Sequence, residues 1–228
     1  MKKYFYLIPL FLFSLQSSWS MDLHFGPVAG LSFNSPNKDY QAGSLDSDLG
    51  GVIKKSTKVG LPTLGFNMRV DGDSYTIQTG LHWARRSYGW NGDISLLGIT
   101  INTDLKLTES FLEMPTIFYW KTPTSETGHF RLGAGINPAY GLGKVKLDFS
   151  ASALGASSTT TEDSTYKDIG FKRFNTSLLI ATGFDFGLSN GQMFTLEPII
   201  YSNLLNKVSD GSESLKVYGF DLYASYLF

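Results

Sequence analysis

The sequence predicts an all-β protein, an eight-stranded antiparallel up-and-down transmembrane β-barrel. Three features point there. Apolar residues recur at alternate positions, with Thr176 and Thr182 as the exceptions, through long stretches such as Phe174 to Leu188, the period of a strand with two unlike faces. The connections between these stretches alternate between long and short. Charged residues make up 17% of the chain and aromatics 14%, a balance that suits lipid-facing strands better than a soluble α/β domain.

Composition narrows the function classes. A chain of 228 residues is long enough for one barrel. It contains no cysteine, which removes disulfide frameworks, thiolate metal sites and cysteine nucleophiles. The net charge is −1, so no basic patch follows and nucleic acid is not an expected partner. Residues 1–20 read as a signal peptide: Lys2 and Lys3, an apolar run from Tyr4 to Phe13, and Ser18 and Ser20 before the cleavage point. A membrane-anchor helix is the alternative, but this run is far shorter than the ~20 residues a spanning helix needs, and Pro9 interrupts it. No later run approaches that length. Residues 21–228 are then the barrel domain, and any crossing of a membrane is made by strands.

Asp22 to Phe33 is the first strand, with Leu23, Phe25, Pro27, Ala29, Leu31 and Phe33 on one face. Asn34 to Lys58 lacks any period and reads as a long loop. The second strand, Val59 to Val70, carries Leu64, Phe66 and Met68 against Thr63, Asn67 and Arg69. Asp71-Gly72-Asp73-Ser74 is a tight turn in which Asp-Gly would supply positive φ. Tyr75 to Tyr88 is the third strand. Trp90-Asn91-Gly92-Asp93 opens a longer connection, and the alternation of Ile94 to Leu107 predicts strand arms beyond the membrane. The fourth strand, Phe111 to Trp120, is followed by the short turn Lys121 to Gly128, and His129 to Leu142 is the fifth. Lys144 to Asp168 is Ser/Thr/Ala-rich and reads as a loop. Phe171 to Leu188 is the sixth strand, Ser189-Asn190-Gly191-Gln192 a turn, Met193 to Leu204 the seventh strand, Leu205 to Ser214 a loop, and Leu215 to Phe228 the last strand. Pro115 and Pro138 lie within strands, where a missing donor implies bulges or interrupted pairing.

Alternation alone leaves two barrels open, a soluble one with its apolar face inside and a membrane one with that face outside. Lysines decide for the second. Lys54, Lys55, Lys58, Lys121, Lys144, Lys146 and Lys207 fall at strand ends, turns and loops, while the mid-strand polar face carries mostly glycine, alanine and serine. Small residues fit an eight-stranded lumen just wide enough for side chains. That face also carries Arg69, Arg86, Arg131 and Arg173 against Glu113, Asp185, Glu197 and Asp221. Buried charges persist when paired, so these eight predict an interlocking lumen network and no open pore. A narrow channel for small or hydrophobic solutes is the alternative.

Catalytic signals are weak. His24, His82 and His129 all fall on the inward face, where hydrogen-bonded lumen histidines explain them better than catalysis or metal binding. Asp46 and Asp48, and Glu162 and Asp163, match no calcium-loop spacing and read as solvated charge. No phosphate loop, nucleophile elbow or HExxH motif occurs. No cofactor is expected, and a lipid-modifying enzyme is the third reading.

The signal peptide, the Phe111-Leu112-Glu113-Met114-Pro115 segment, the glycine-rich strand Phe130 to Gly141 and the C-terminal YGFDLYASYLF resemble those of small eight-stranded bacterial outer-membrane β-barrels. The family is the porin-family group that includes OmpX-, OmpW- and PorT-like proteins. The likeness covers residues 21–228, and Leu-Glu-Met-Pro is similar to the Leu-Glu-Ile-Pro of PorT-like members. It implies a Gram-negative outer membrane, with the lipid bilayer, periplasmic chaperones and the barrel-assembly machinery as partners, and an extracellular ligand at the long loops. Members of this group range from structural barrels and adhesins to small-solute channels and secretion accessories, and fold alone does not choose among them. The expected role is non-enzymatic: envelope integrity or surface interaction. Phe220, Leu222, Ala224, Tyr226 and Phe228 form the alternating tail that such a barrel presents as its insertion signal. Replacing Phe228 with Ser, or deleting it, is expected to reduce the heat-modifiable, membrane-inserted fraction severalfold; unchanged assembly would remove that role.

Overall fold

The computed structural model describes residues 22–37, 53–96, 99–125, 128–188, 191–208 and 214–228. The expected signal peptide, Asp46 and Asp48, and Ser189 and Asn190 of the expected turn lie outside them.

The strands in chain order are β1 (Asp22–Pro36), β2 (Ile53–Ser56), β3 (Lys58–Val59), β4 (Leu61–Asp71), β5 (Tyr75–Leu96), β6 (Ile99–Glu113), β7 (Thr116–Ser125), β8 (Gly128–Ala153), β9 (Ala156–Ser164), β10 (Phe174–Gly187), β11 (Met193–Asn203) and β12 (Val217–Leu227). They form one antiparallel sheet that closes on itself. β6 and β7 are two halves of a single wall strand, since β5 and β8 pair with both. The wall therefore has eight positions, running β1, β4, β5, β6/β7, β8, β10, β11, β12 and back to β1.

Register fixes its geometry. The partners of Ser35 lead once around the wall through Tyr218, Ser202, Leu178, Ile136, Thr116, Thr79 and Met68 to Phe25, ten residues from the start (35 − 25). A stagger of that size over eight strands tilts them within the ~35–45° usual for closed barrels and leaves an interior that side chains fill.

The two faces are inverted relative to a soluble protein. Trp120 is 65% exposed and Ile200 62%, while Arg69, Glu113, Arg131, Asp185 and Glu197 are buried. On β1 the outward apolar row runs from Leu23 to Phe33; at ~3.3 Å per residue and ~40° tilt it covers a height of ~25 Å, the band a bilayer core requires. Aromatics gather at its ends. Near the short turns Phe25 meets Phe228 edge-on at 4.8 Å, and Tyr75 stacks on Phe118 at 5.9 Å. Near the opposite rim Phe33 lies 6.2 Å from Phe220. Phe25 and Phe228 also exchange backbone hydrogen bonds of 3.1 Å, so the terminal residue completes the seam between β1 and β12.

Several expectations are corrected. Lys144 to Asp168 is not a loop: β8 continues to Ala153 and returns as β9, joined at Leu154-Gly155 with φ of 50° and 82°. β9 is exposed from Ala156 to Asp163, so no apolar alternation marks the returning strand; two positive-φ residues are what a two-residue hairpin turn demands. The expected loop Asn34 to Lys58 contains β2, which pairs with the upper end of β5. β5 runs eight residues past Tyr88, to Leu96 (96 − 88). β10 begins at Phe174 rather than Phe171, and β12 at Val217 rather than Leu215. Gly72 does not have positive φ; Asp71 pairs with Thr76 across a wider turn. Pro115 interrupts the strand, but register is the same on either side, with Glu113 opposite Ala139 and Thr116 opposite Ile136. Pro138 stays in β8 and accepts a 3.0 Å hydrogen bond from the Met114 amide. The register shifts lie elsewhere, at Leu61/Leu64, Thr108/Ser110 and Pro123/Ser125.

Inward glycines make room for large neighbours. A Cβ on Gly30 would sit 2.0 Å from the Tyr223 ring and 2.8 Å from the Leu222 carbonyl oxygen, and neither the buried ring nor the backbone can retreat. Gly30→Val is therefore expected to destabilise the barrel by about 1–3 kcal/mol, read as a lower urea midpoint in micelles.

Candidate functional site

The lumen holds a stack of ion pairs, positioned because inward parity on each wall strand aims the polar residues at one axis. In the layer nearest the short turns, Arg69 Nε lies 2.6 Å from Asp71 Oδ2 and its Nη2 2.7 Å from Asp185 Oδ2. Asp71 also accepts from Thr76 at 2.5 Å and from Lys121 at 3.1 Å. Arg131, 0% exposed, bridges Asp185 at 2.9 Å and Glu197 at 3.0 Å. Glu197 accepts further hydrogen bonds from Gln78 at 2.8 Å and from the Tyr119 hydroxyl at 3.0 Å. The Arg131 guanidinium lies over the Tyr119 ring at 4.3 Å, and Gly183 leaves it space, since a Cβ there would stand 2.8 Å from Cζ.

The middle layer centres on Arg86. Its Nε and Nη2 meet Glu113 at 2.6 and 2.9 Å in bidentate fashion, and the same guanidinium reaches Asp221 at 3.1 and 3.2 Å. Asn137 donates to Glu113 and Tyr223 to Asp221, each at 2.9 Å. Arg86 also stacks over Tyr201 at 4.3 Å. His82 sits between the layers with Nε2 2.8 Å from Asn67 Oδ1 and its ring edge-on to Tyr223. His24 lies 3.9 Å from Asp71, and His129 stands opposite Asp185 in register.

Seven of the eight charges expected in the lumen meet there; Arg173 does not. It precedes β10 and is exposed over the Tyr166 ring at 5.3 Å. A third layer was not expected from the sequence. Lys207 is buried and pairs with Glu109, which also accepts from Tyr88 at 2.7 Å. Its ammonium faces the rings of Tyr88, Phe111 and Phe171 at 5.0, 5.1 and 5.7 Å. A parity signal existed for Glu109, which shares the face of Phe111 and Glu113. Lys207 had none, because it folds inward from a connection after β11 has ended. Lys121 likewise turns inward to Asp71 rather than marking a wet rim.

The cavity between Arg86, Glu113, Tyr201 and Lys207 holds about 20 Å³, room for about one water. Among the described residues no group of three His, Asp or Glu side chains is arranged to hold a metal ion. Glu162 and Asp163 stand exposed on β9.

A closed antiparallel sheet with lipid-facing aromatics outside and paired charges inside is the architecture of a small transmembrane β-barrel. No family model matches the chain, and no curated relative does. Among solved structures, Ail, the attachment invasion locus protein of Yersinia pestis, is similar at 15% identity over 90% of this chain and 98% of its own, with a TM-score of 0.35. OprG of Pseudomonas aeruginosa is similar at 13% identity over 90% and 94%, with a TM-score of 0.44. Neisserial surface protein A shows 11% identity over 90% and 97%, with a TM-score of 0.41.

Truncating Arg131 would leave buried Glu197 without its cation and Asp185 with Arg69 as its remaining one. Arg131→Met is expected to cost about 3–5 kcal/mol in a folding titration, with Asp185→Asn/Glu197→Gln in the same chain recovering part of the loss. A loss below ~1 kcal/mol would show that water already screens the pair.

Proposed function

We propose that the chain is a non-enzymatic barrel of a Gram-negative outer membrane, closed to solutes, whose work is done by the strands projecting beyond its long-loop rim. Short turns on one rim and longer connections on the other orient such a barrel with the long side outward, and residues 1–20 would be the signal that delivers it. The observation that carries this reading is the filled lumen: three layers of paired charges with room for about one water between two of them. A conducting path would need those pairs to part.

The projecting part is substantial. β5, β6, β8 and β9 continue past the apolar band as one hydrogen-bonded sheet, a rigid platform for surface interaction or for contacts that maintain the envelope. The non-enzymatic assignment draws on the lumen carboxylates, which are engaged by arginine, tyrosine or amide donors, and on the histidines, which lie along the lumen rather than at the outer surface.

In planar bilayers the refolded protein is expected to show no steady conductance steps at moderate voltage. A stable open level would overturn the closed-lumen reading in favour of a narrow channel. Overexpression is expected to leave lipid A profiles unchanged, and a new modified species would overturn the non-enzymatic one.

A further inference from the structure

Above the lipid-facing band, the outward side of the β5–β6–β8–β9 arm is polar throughout, and register orders it into transverse rows. Asn91, Asp104 and Ser150 stand side by side on adjacent strands; Asp93, Asn102 and Ser152 form the next row. They flank a cleft of about 400 Å³, within the ~300–1,000 Å³ of small-ligand sites. Lys58 bonds to the first of these rows, with Nζ 2.6 Å from Asp104 Oδ1 and 2.9 Å from Asn91 Oδ1.

The donor and acceptor types select a ligand class. Amides both give and accept, hydroxyls do the same, and the two carboxylates only accept. Ala151 is the one apolar side chain in the lining, beside Gly92, Thr103 and Ser157, too little apolar surface to seat an acyl chain or an aromatic ligand. The Asp93 carboxylate, beside an Asp104 already paired with Lys58, also disfavours a polyanion. Neighbouring strands are ~4.8 Å apart and alternate residues ~6.7 Å apart, a grid on which one or two pyranose rings fit with their hydroxyls facing side chains. Asp104 lies eight residues beyond the lipid-facing Leu112 (112 − 104); at ~3.3 Å per residue and ~40° tilt that is ~20 Å above the apolar band, past the depth of lipid phosphates.

We propose that this cleft is a saccharide-binding site, in which Asp93 and Asp104 accept from sugar hydroxyls, Asn91 and Asn102 donate to ring or acetamido oxygens, and Ser150 and Ser152 complete the contacts. The site rests on the reading that the long-loop rim faces outward. Its sugar comes either from neighbouring outer-leaflet glycolipids or from a free or foreign glycan.

The test is saturation-transfer NMR on the full barrel in lipid nanodiscs. The probes are oligosaccharide released from lipopolysaccharide by mild acid, free N-acetyllactosamine and sucrose octasulfate. Transfer above the empty-nanodisc background is expected to one or both of the first two, and none to the third. Transfer to the released oligosaccharide alone identifies a membrane-borne sugar, and transfer to the disaccharide a soluble one. Asp93→Ala/Asn102→Ala, and Ser152→Trp, which fills the cleft, are each expected to reduce transfer at least fivefold while heat-modifiable mobility stays that of the parent. No transfer to either sugar, stronger transfer to sucrose octasulfate, or transfer that survives both folded variants would overturn the site. The wild-type comparison of the three probes decides without any variant. Conductance tests the closed lumen separately, so the two readings fail independently.

Discussion

Inside a bilayer a strand edge has no water to satisfy it, so every backbone donor and acceptor must find a partner in another strand. The seam between β1 and β12 meets that requirement from Val28–Ser225 to Pro36–Val217, and Phe25 and Phe228 extend it to the last residue. Closure then dictates the rest. It fixes the tilt, the tilt fixes the bore, and a bore of that size with an apolar exterior leaves the lumen as the place for charge.

The lumen solves a packing problem and an electrostatic one with the same residues. Arginine suits this role because its flat, forked cation can serve two carboxylates while resting on a ring, as Arg86 does between Glu113, Asp221 and Tyr201 and Arg131 between Asp185, Glu197 and Tyr119. Glycine opposite a tyrosine or arginine supplies the complementary hollow. Stacking three such layers along the axis makes the interior a solid of interlocked pairs.

The wall was legible in the sequence because lipid on one side and a crowded lumen on the other impose a strict period of two. Leu23 to Phe33 shows it on its outward row, and Phe174 to Phe186 with Thr176 and Thr182 as the exceptions. The arm was only half legible. Ile94 to Leu107 still alternates, but Ser157 to Thr161 has solvent on both faces, so nothing forces its residues into two classes and the strand hides in a Ser/Thr run. The lumen network was readable where charges sit on wall strands with fixed parity, such as Arg69 and Asp221. It was not readable for Lys207, whose inward turn depends on three-dimensional contacts with Glu109 and the rings around it, nor for Arg173, whose parity was right but whose height was not.

The continuity of β6 and β8 from the arm down into the wall has a mechanical consequence. Their ladder runs from Asn102–Ser152 to Glu113–Ala139, across the level where the protein leaves the lipid. A force applied at the tip therefore travels along covalent strands and loads many parallel hydrogen bonds in shear, instead of bending a flexible loop. The barrel acts as a post sunk in the membrane, and a pull on the arm is felt by the whole wall.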